Sequence, residues 1–136
     1  GLTEVTKDLQ KMKINNIKDI LNNWNSFVKA DGHSDYQRSF DELILNKKIV
    51  NSSTNSLLVI GDARNNYRSI SEETISKLSK SFDNIYWMNP ERKQYWNTGD
   101  SRFMDFQKVC ESYSEVRNFN QLKNFIENIN FKKVIK

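Results

Sequence analysis

The stretch that decides the fold is LLVIGDARNNY, which runs from Leu57 to Tyr67. It opens with a short, continuous apolar run, which predicts a strand covered on both faces. The run ends in Gly61-Asp62, so a carboxylate stands at the carboxyl end of the predicted strand. Such a carboxylate can bind a hard cation, directly or through water. It can also accept a backbone hydrogen bond that shapes the turn, and the residues of this stretch alone favour that second role.

Strand and helix patterns alternate after this stretch. A second buried strand is predicted from Asn84 to Asn89 and is stopped by Pro90. A weaker third strand is predicted over residues 113–118. The predicted helices between and after the strands carry apolar stripes at helical spacing, formed by Ile75, Leu78 and Phe82, by Phe103, Phe106 and Cys110, and by Leu122, Phe125, Ile126 and Ile129.

Three further helices are predicted before Leu57. Their apolar stripes are Val5, Leu9 and Met12, then Ile17, Ile20, Leu21, Trp24 and Val28, then Tyr36, Phe40, Leu43 and Ile44. The predicted helix N-caps are Asn16, Ser34 (in a capping box with Gln37), Ser69 (in a capping box with Glu72), Ser101 and Asn120.

The resulting order, α-α-α-β-α-β-α-β-α, predicts an α/β fold with parallel strands. We interpret it as a partial doubly wound, three-layer sandwich, and residues 1–136 as one domain. Three parallel strands make a narrow sheet, so we expect that N-terminal strands are missing. Gly1 is no initiator, which also suggests a truncated domain. An exposed apolar sheet edge would then pair with a second copy or with another chain.

Composition excludes several classes of protein. Among 136 residues, 37% are hydrophobic and 12% aromatic, which predicts a folded chain and not a disordered one. No window approaches the roughly 18 consecutive apolar residues that a membrane helix needs, and no signal peptide is visible. The single cysteine cannot form an internal disulfide, which favours a reducing, cytoplasmic location. The net charge of +4 is modest and spread along the chain.

In open α/β sheets, ligands bind beyond the carboxyl ends of the strands. Two polar loops are predicted there, Gly61–Arg68 and Asn89–Ser101. Their polar and aromatic candidates are Asp62, Arg64, Asn65, Asn66, Glu91, Arg92, Trp96 and Asp100.

Each of these candidates also has a structural interpretation. Arg64 can bind an anion or form a surface ion pair, and the ion pair is the commoner role. Asn65 and Asn66 can simply tolerate left-handed turn geometry. Trp96 can bind a ligand or pack the loop down.

The chemistry of histidine and cysteine is nearly absent from this chain. His33 is the only histidine and Cys110 the only cysteine, which excludes a histidine–cysteine zinc site and a histidine-dependent triad. We expect Cys110 to be a buried core thiol. Any metal site must therefore be built from oxygen ligands, and no nucleotide-binding motif occurs.

Several separated motifs nevertheless occur together in a distinctive order. They are GHSDYQRSF, LLVIGDARNNY, YWMNPE, WNTGDS, a following cysteine, and NFNQL. In this order they resemble the C-terminal part of the bacterial CoxE-like von Willebrand factor A (VWA) domain proteins. The opening GLTEVT is similar to a segment that follows an earlier strand in that family, so the resemblance covers nearly the whole chain.

The resemblance implies a doubly wound α/β fold and, in many members, a Mg²⁺-dependent adhesion site (MIDAS). It places Ser34 at the threonine position of that site and Asp62 at its later aspartate position, with Asp35 assisting. The family's Asp-x-Ser-x-Ser loop occurs nowhere in this chain. The resemblance therefore implies tight Mg²⁺ binding only for an intact domain.

The function that the resemblance implies is non-enzymatic. CoxE-like VWA proteins act as adaptors beside MoxR-type AAA+ ATPases, in metalloenzyme maturation or complex remodelling. A bound Mg²⁺ would capture a carboxylate of the partner.

Two alternatives belong to other classes of function. One is a small metal-dependent hydrolase or phosphoryl-transfer domain that uses Asp62. The other is a nucleic-acid binder, which the modest charge and the lack of a lysine-rich face disfavour. We expect no nucleic-acid and no membrane partner.

Overall fold

Residues 34–45 and 55–129 are described by the structure, a computed structural model. His33 and the predicted helices that contain Val5 and Trp24 lie outside these ranges. The elements are α1 (Tyr36–Leu45), β1 (Ser56–Ile60), α2 (Glu72–Ser81), β2 (Asn84–Asn89), a 3₁₀ turn (Lys93–Tyr95), α3 (Phe103–Gln107), β3 (Ser112–Glu115) and α4 (Phe119–Asn128).

The three strands form one parallel sheet in the order β1-β2-β3. Leu57 pairs with Ile85 and Ile60 with Met88, so β1 and β2 end at the same edge. Helices connect the strands, as parallel pairing requires. The predicted α/β class is confirmed.

The central strand β2 is buried along its whole length. On one face, Ile85 and Trp87 join an aromatic core that also contains Phe40 and residues of α2 and α3. On the other face, Tyr86 and Met88 pack against α4. Because successive side chains of a strand point to opposite faces, the two cores lie on the two sides of the sheet.

The outer strand β1 contradicts the expected two-sided burial. Leu57 and Val59 pack against the aromatic core, but Leu58 is 48% exposed and Ile60 is 70% exposed. Leu58 and Ile60 share the face of Tyr86 and Met88 through the strand register. That face of the sheet is buried at β2 and exposed at β1. The apolar run in the sequence could not reveal this difference.

Most helix caps differ from the predicted ones by one or two residues. Ser71, and not Ser69, caps α2 by accepting the Thr74 amide, and Asn118, and not Asn120, caps α4. At α1, the carboxylate of Asp35 accepts the Arg38 amide, and Ser34 precedes it. In each case the sequence offers two capping residues close together, and hydrogen bonding to the third helical amide selects one.

The region around α3 also departs from prediction. Arg102 holds the N-cap position and makes no side-chain capping bond, while the Ser101 hydroxyl donates to the Trp96 carbonyl. The helix ends at Gln107, so Cys110 follows it instead of lying on its face. The third strand is Ser112–Glu115 and not residues 113–118.

Among the residues that the structure describes, no helix is long and apolar enough to cross a membrane.

Candidate functional site

The loops that follow β1 and β2 meet at the carboxyl edge of the sheet. Arg64 and Ser101 form an isolated antiparallel bridge. The Arg102 amide donates to the Ala63 carbonyl at 2.8 Å, and the Asn65 amide donates to the Asp100 carbonyl at 3.1 Å. The two polar loops of the sequence therefore form one interlocked surface.

Asp62 lies in this surface, directly after β1. Its Oδ1 atom accepts the Arg64 amide at 3.0 Å, so the carboxylate shapes the turn as the sequence favoured. The Tyr36 hydroxyl approaches the same oxygen at 3.5 Å. In the described residues, both of these contacts of Asp62 therefore involve the same carboxylate oxygen, Oδ1.

The backbone around Asp62 is held in an uncommon conformation. Ala63, Asn66 and Tyr67 have positive φ values of 60°, 51° and 58°. The left-handed conformation costs roughly 1–2 kcal/mol for an L-residue other than glycine, and asparagine tolerates it best. The prediction of left-handed geometry is thus confirmed for Asn66 and wrong for Asn65, whereas Ala63 and Tyr67 are the costly positions. Tyr67 is 75% exposed, so the loop holds a large aromatic side chain in solvent.

Arg64 joins the two loops through ion pairs. Its Nη2 atom lies 2.6 Å from Glu91 Oε1, and its Nη1 atom lies 2.7 Å from Asp100 Oδ1. These hydrogen bonds raise the pKa of Arg64 and hold the pKa of Asp100 below its usual range. The guanidinium is engaged by carboxylates, which favours the ion-pair interpretation over anion binding.

The first turn of α1 is tied to the same loop. Asp35 Oδ2 pairs with Arg68 Nη1 at 2.7 Å, and Asp35 Oδ1 accepts the Arg38 amide at the start of α1. Its expected assistance to a metal site stays a prediction. Ser34 is exposed and immediately precedes these contacts. The structure therefore brings the segment that begins at Ser34 to the loop of Asp62, through Asp35 and Tyr36.

Two residues whose roles here the sequence did not predict, Asn65 and Tyr36, hold this junction together. Asn65 is fully buried, and its side chain accepts the Tyr36 amide at 2.7 Å and donates to the Arg68 carbonyl at 3.0 Å. The Tyr36 hydroxyl accepts the Ala63 amide at 3.1 Å. Tyr36 looks like one member of an apolar stripe, and its hydroxyl's role depends on a residue 27 positions away, so helical spacing could not reveal it.

Trp96 and Cys110 have structural roles. Trp96 is 3% exposed, and its Nε1 atom donates to the Glu91 carbonyl at 2.8 Å, so it packs the loop down. Cys110 packs against the aromatic core, and burial raises the pKa of its thiol to about 12. A thiol with so high a pKa is a poor nucleophile at neutral pH.

A family model described as VWA domain containing CoxE-like protein matches residues 1–125. The chain belongs to the CoxE-like VWA family. The parallel sheet, with helices packed on it, agrees with the fold of that family. Neither the comparison with curated proteins nor the comparison with solved structures gives a match.

VWA domains generally bind a metal ion, so the donors around Asp62 need to be tested against that ion. Magnesium takes near-octahedral oxygen coordination. The described residues contain no group of three histidine, cysteine, aspartate or glutamate side chains able to hold a metal. Among the described residues at this edge, the buried side-chain atoms without a hydrogen-bond partner are Asn89 Nδ2 and Glu91 Oε2, and neither belongs to Asp62. The described residues alone therefore do not fit a closed metal site.

Proposed function

We propose that this CoxE-like VWA chain is a non-enzymatic interaction domain that binds a protein partner at the carboxyl edge of its sheet. The observation that carries the proposal is the surface around Asp62. It is fixed by contacts from α1 and from the loop after β2, and it exposes Tyr67. Tyrosine is one of the residues enriched among those that contribute most of the binding energy at protein interfaces.

The proposed partner is a MoxR-type AAA+ ATPase, and the proposed location is the cytoplasm. The choice of partner is supported by the resemblance to CoxE-like VWA proteins, which act beside ATPases of this type. In the same proposal, Ser34 and Asp62 supply two oxygen ligands for Mg²⁺. In the family, an Asp-x-Ser-x-Ser loop supplies the remaining ligands. That motif does not occur in this chain.

The experiment compares two aspartate variants that lie at opposite edges of the sheet. Asp62→Asn alters the proposed surface, whereas Asp83→Asn alters a carboxylate that accepts the Asn55 amide at 2.7 Å, near the start of β1. Affinity for the purified MoxR-type ATPase of the same organism is measured by biolayer interferometry, with and without Mg²⁺. We expect Asp62→Asn to weaken binding by at least about tenfold, which corresponds to about 1.4 kcal/mol, and Asp83→Asn to change it by less than about twofold.

Equal affinities for wild type and Asp62→Asn would overturn this function. A Mg²⁺-dependent signal from a phosphate analogue that disappears in Asp62→Asn would favour the phosphoryl-transfer alternative instead.

Self-association stays a prediction as well. In the part of the chain that the structure describes, β1 is an outer strand, and its sequence SLLVI contains neither charge nor proline. Charges and proline are the usual means of protecting an exposed strand edge. The exposed side chains of Leu58 and Ile60 would lie beside such a contact.

A further inference from the structure

We infer that the Tyr36 hydroxyl is the positioning group of the Asp62 turn, and that it couples this turn to the start of α1. The inference rests on the proposed role of Asp62 in binding. It assigns to Tyr36 a role through Asp62 and not a direct contact with a ligand.

The first support is the placement of the hydroxyl over the turn. It accepts the Ala63 amide at 3.1 Å and donates toward Asp62 Oδ1 at 3.5 Å. It also lies over Gly61, where an added Cβ would come within 2.1 Å of it. One oxygen atom therefore contacts three consecutive residues, and it holds the amide of Ala63, which is buried and left-handed.

The second support is the rigidity of the side chain that carries this hydroxyl. The Tyr36 ring stacks on Trp87 with ring centroids 5.7 Å apart, and it also contacts Phe40 and Phe106. The ring fixes the position of the hydroxyl, and the hydroxyl fixes the turn.

The third support is the order in which the two contacts of Asp62 would break when a ligand binds. Oδ1 receives the Arg64 amide at 3.0 Å and the Tyr36 hydroxyl at 3.5 Å. The longer contact is the weaker one, so a ligand that engages Oδ1 breaks the contact between Asp62 and Tyr36 first. Binding at Asp62 and the placement of α1 are thereby coupled, and such coupling acts equally in both directions.

The test replaces the hydroxyl and keeps the ring. Tyr36→Phe is compared with Tyr113→Phe, which also removes one hydroxyl from the aromatic core, where it accepts the Gln107 side chain at 2.6 Å. Amide hydrogen exchange of the full chain is followed by NMR, without metal or partner. In Tyr36→Phe we expect exchange at Ala63 to accelerate by at least about tenfold, with β2 amides unchanged; in Tyr113→Phe, exchange at Ala63 stays within about twofold of wild type.

Unchanged exchange at Ala63 in Tyr36→Phe would overturn the inference. Equal acceleration at Ala63 and throughout β2 would overturn it too, because the hydroxyl would then support the whole fold and not the turn. These rates are measured without a partner, so they are independent of the binding result for Asp62→Asn. A failure of the positioning role of Tyr36 can therefore be told apart from a failure of the proposed function.

Discussion

The two edges of the sheet use an aspartate in different ways. At the amino edge, Asp83 accepts the Asn55 amide through its side chain and donates its own amide to the Asn55 carbonyl at 2.8 Å. At the carboxyl edge, Asp62 also accepts a backbone amide, but an aromatic hydroxyl from α1 approaches the same oxygen. At the amino edge, Asp83 and Asn55 bond to each other directly, whereas the carboxyl edge is assembled from α1 and from the loops after β1 and β2.

The carboxyl edge also holds the unfavourable backbone. All three non-glycine residues with positive φ in the described ranges lie between Ala63 and Tyr67. Strained residues persist only where their surroundings determine them, and they concentrate at functional sites. The difference between the edges therefore supports the proposal that the carboxyl edge binds the partner.

The largest effect on the carboxyl edge is expected from a substitution that separates the Asp62 turn from Tyr36. Gly61→Ala places a Cβ 2.1 Å from the Tyr36 hydroxyl, and the ring cannot retreat because it is stacked in the core. We expect a loss of about 2–3 kcal/mol in the free energy of unfolding, measured by urea denaturation.

Gly99→Ala is the matched control for this substitution. Its Cβ would meet Arg64 Nη1 at 3.4 Å, and Gly99 has a φ of 61°. Only the left-handed backbone then opposes alanine, at a cost of about 1 kcal/mol. A smaller loss for Gly61→Ala than for Gly99→Ala would contradict the close contact of Tyr36 with the turn.

A second substitution sharpens the comparison by relieving strain. Tyr67 is 75% exposed and left-handed, so Tyr67→Gly removes an unfavourable backbone state and little packing. We expect a gain of about 0.5–1 kcal/mol, because the relief exceeds the conformational entropy that glycine loses on folding. Under the proposed function, the same variant binds the partner more weakly.

Tyr95→Gly is the control for this variant. Tyr95 is 45% exposed and lies in the 3₁₀ turn without a positive φ. Glycine should therefore destabilise the protein there. If both substitutions lower the free energy of unfolding by the same amount, the positive φ at Tyr67 carries no measurable cost in the folded protein.

The smallest expected effect is a dependence on pH. Arg64 holds the pKa of Asp100 below its usual range, so the folded protein favours the ionised carboxylate. This contribution is complete above the ordinary aspartate pKa of about 4, and it is lost as the pH falls through the lower value in the folded state. Melting temperatures from about pH 6 to pH 2.5 should therefore fall less steeply in Asp100→Asn than in wild type. Parallel curves for the two proteins would show that the pair contributes nothing, and partial exposure of the pair keeps the effect small.

The sequence was most informative where one local pattern decides the structure. Alternating strand and helix patterns predicted the parallel sheet, and the burial of β2 followed from its apolar run. Asp62 was singled out because it directly follows an apolar run in the sequence. Its role in the turn is confirmed, and its role as a metal ligand stays a prediction. The ion pairs of Arg64 and the packing of Trp96 were also the roles that the sequence favoured or allowed.

What escaped prediction depends on contacts between distant segments. The Tyr36 hydroxyl reaches Ala63, and the Asn65 side chain reaches back to the Tyr36 amide, across 27 and 29 positions. The exposure of Leu58 depends on what packs over β1, which an apolar run cannot specify. The predicted cap positions were wrong by one or two residues because neighbouring polar side chains compete for the same backbone amide.

The indole of Trp87 gives the carboxyl edge an optical property of its own. Its Nε1 atom donates to the Gly61 carbonyl at 2.7 Å, and its ring stacks on Tyr36. The chain has three tryptophans, so replacing Trp24 and Trp96 by phenylalanine leaves a single emitter directly beneath the Asp62 turn. Indole fluorescence responds to hydrogen bonding and to neighbouring rings. A rearrangement of the turn would thus change the emission colour and lifetime of the protein without any attached dye.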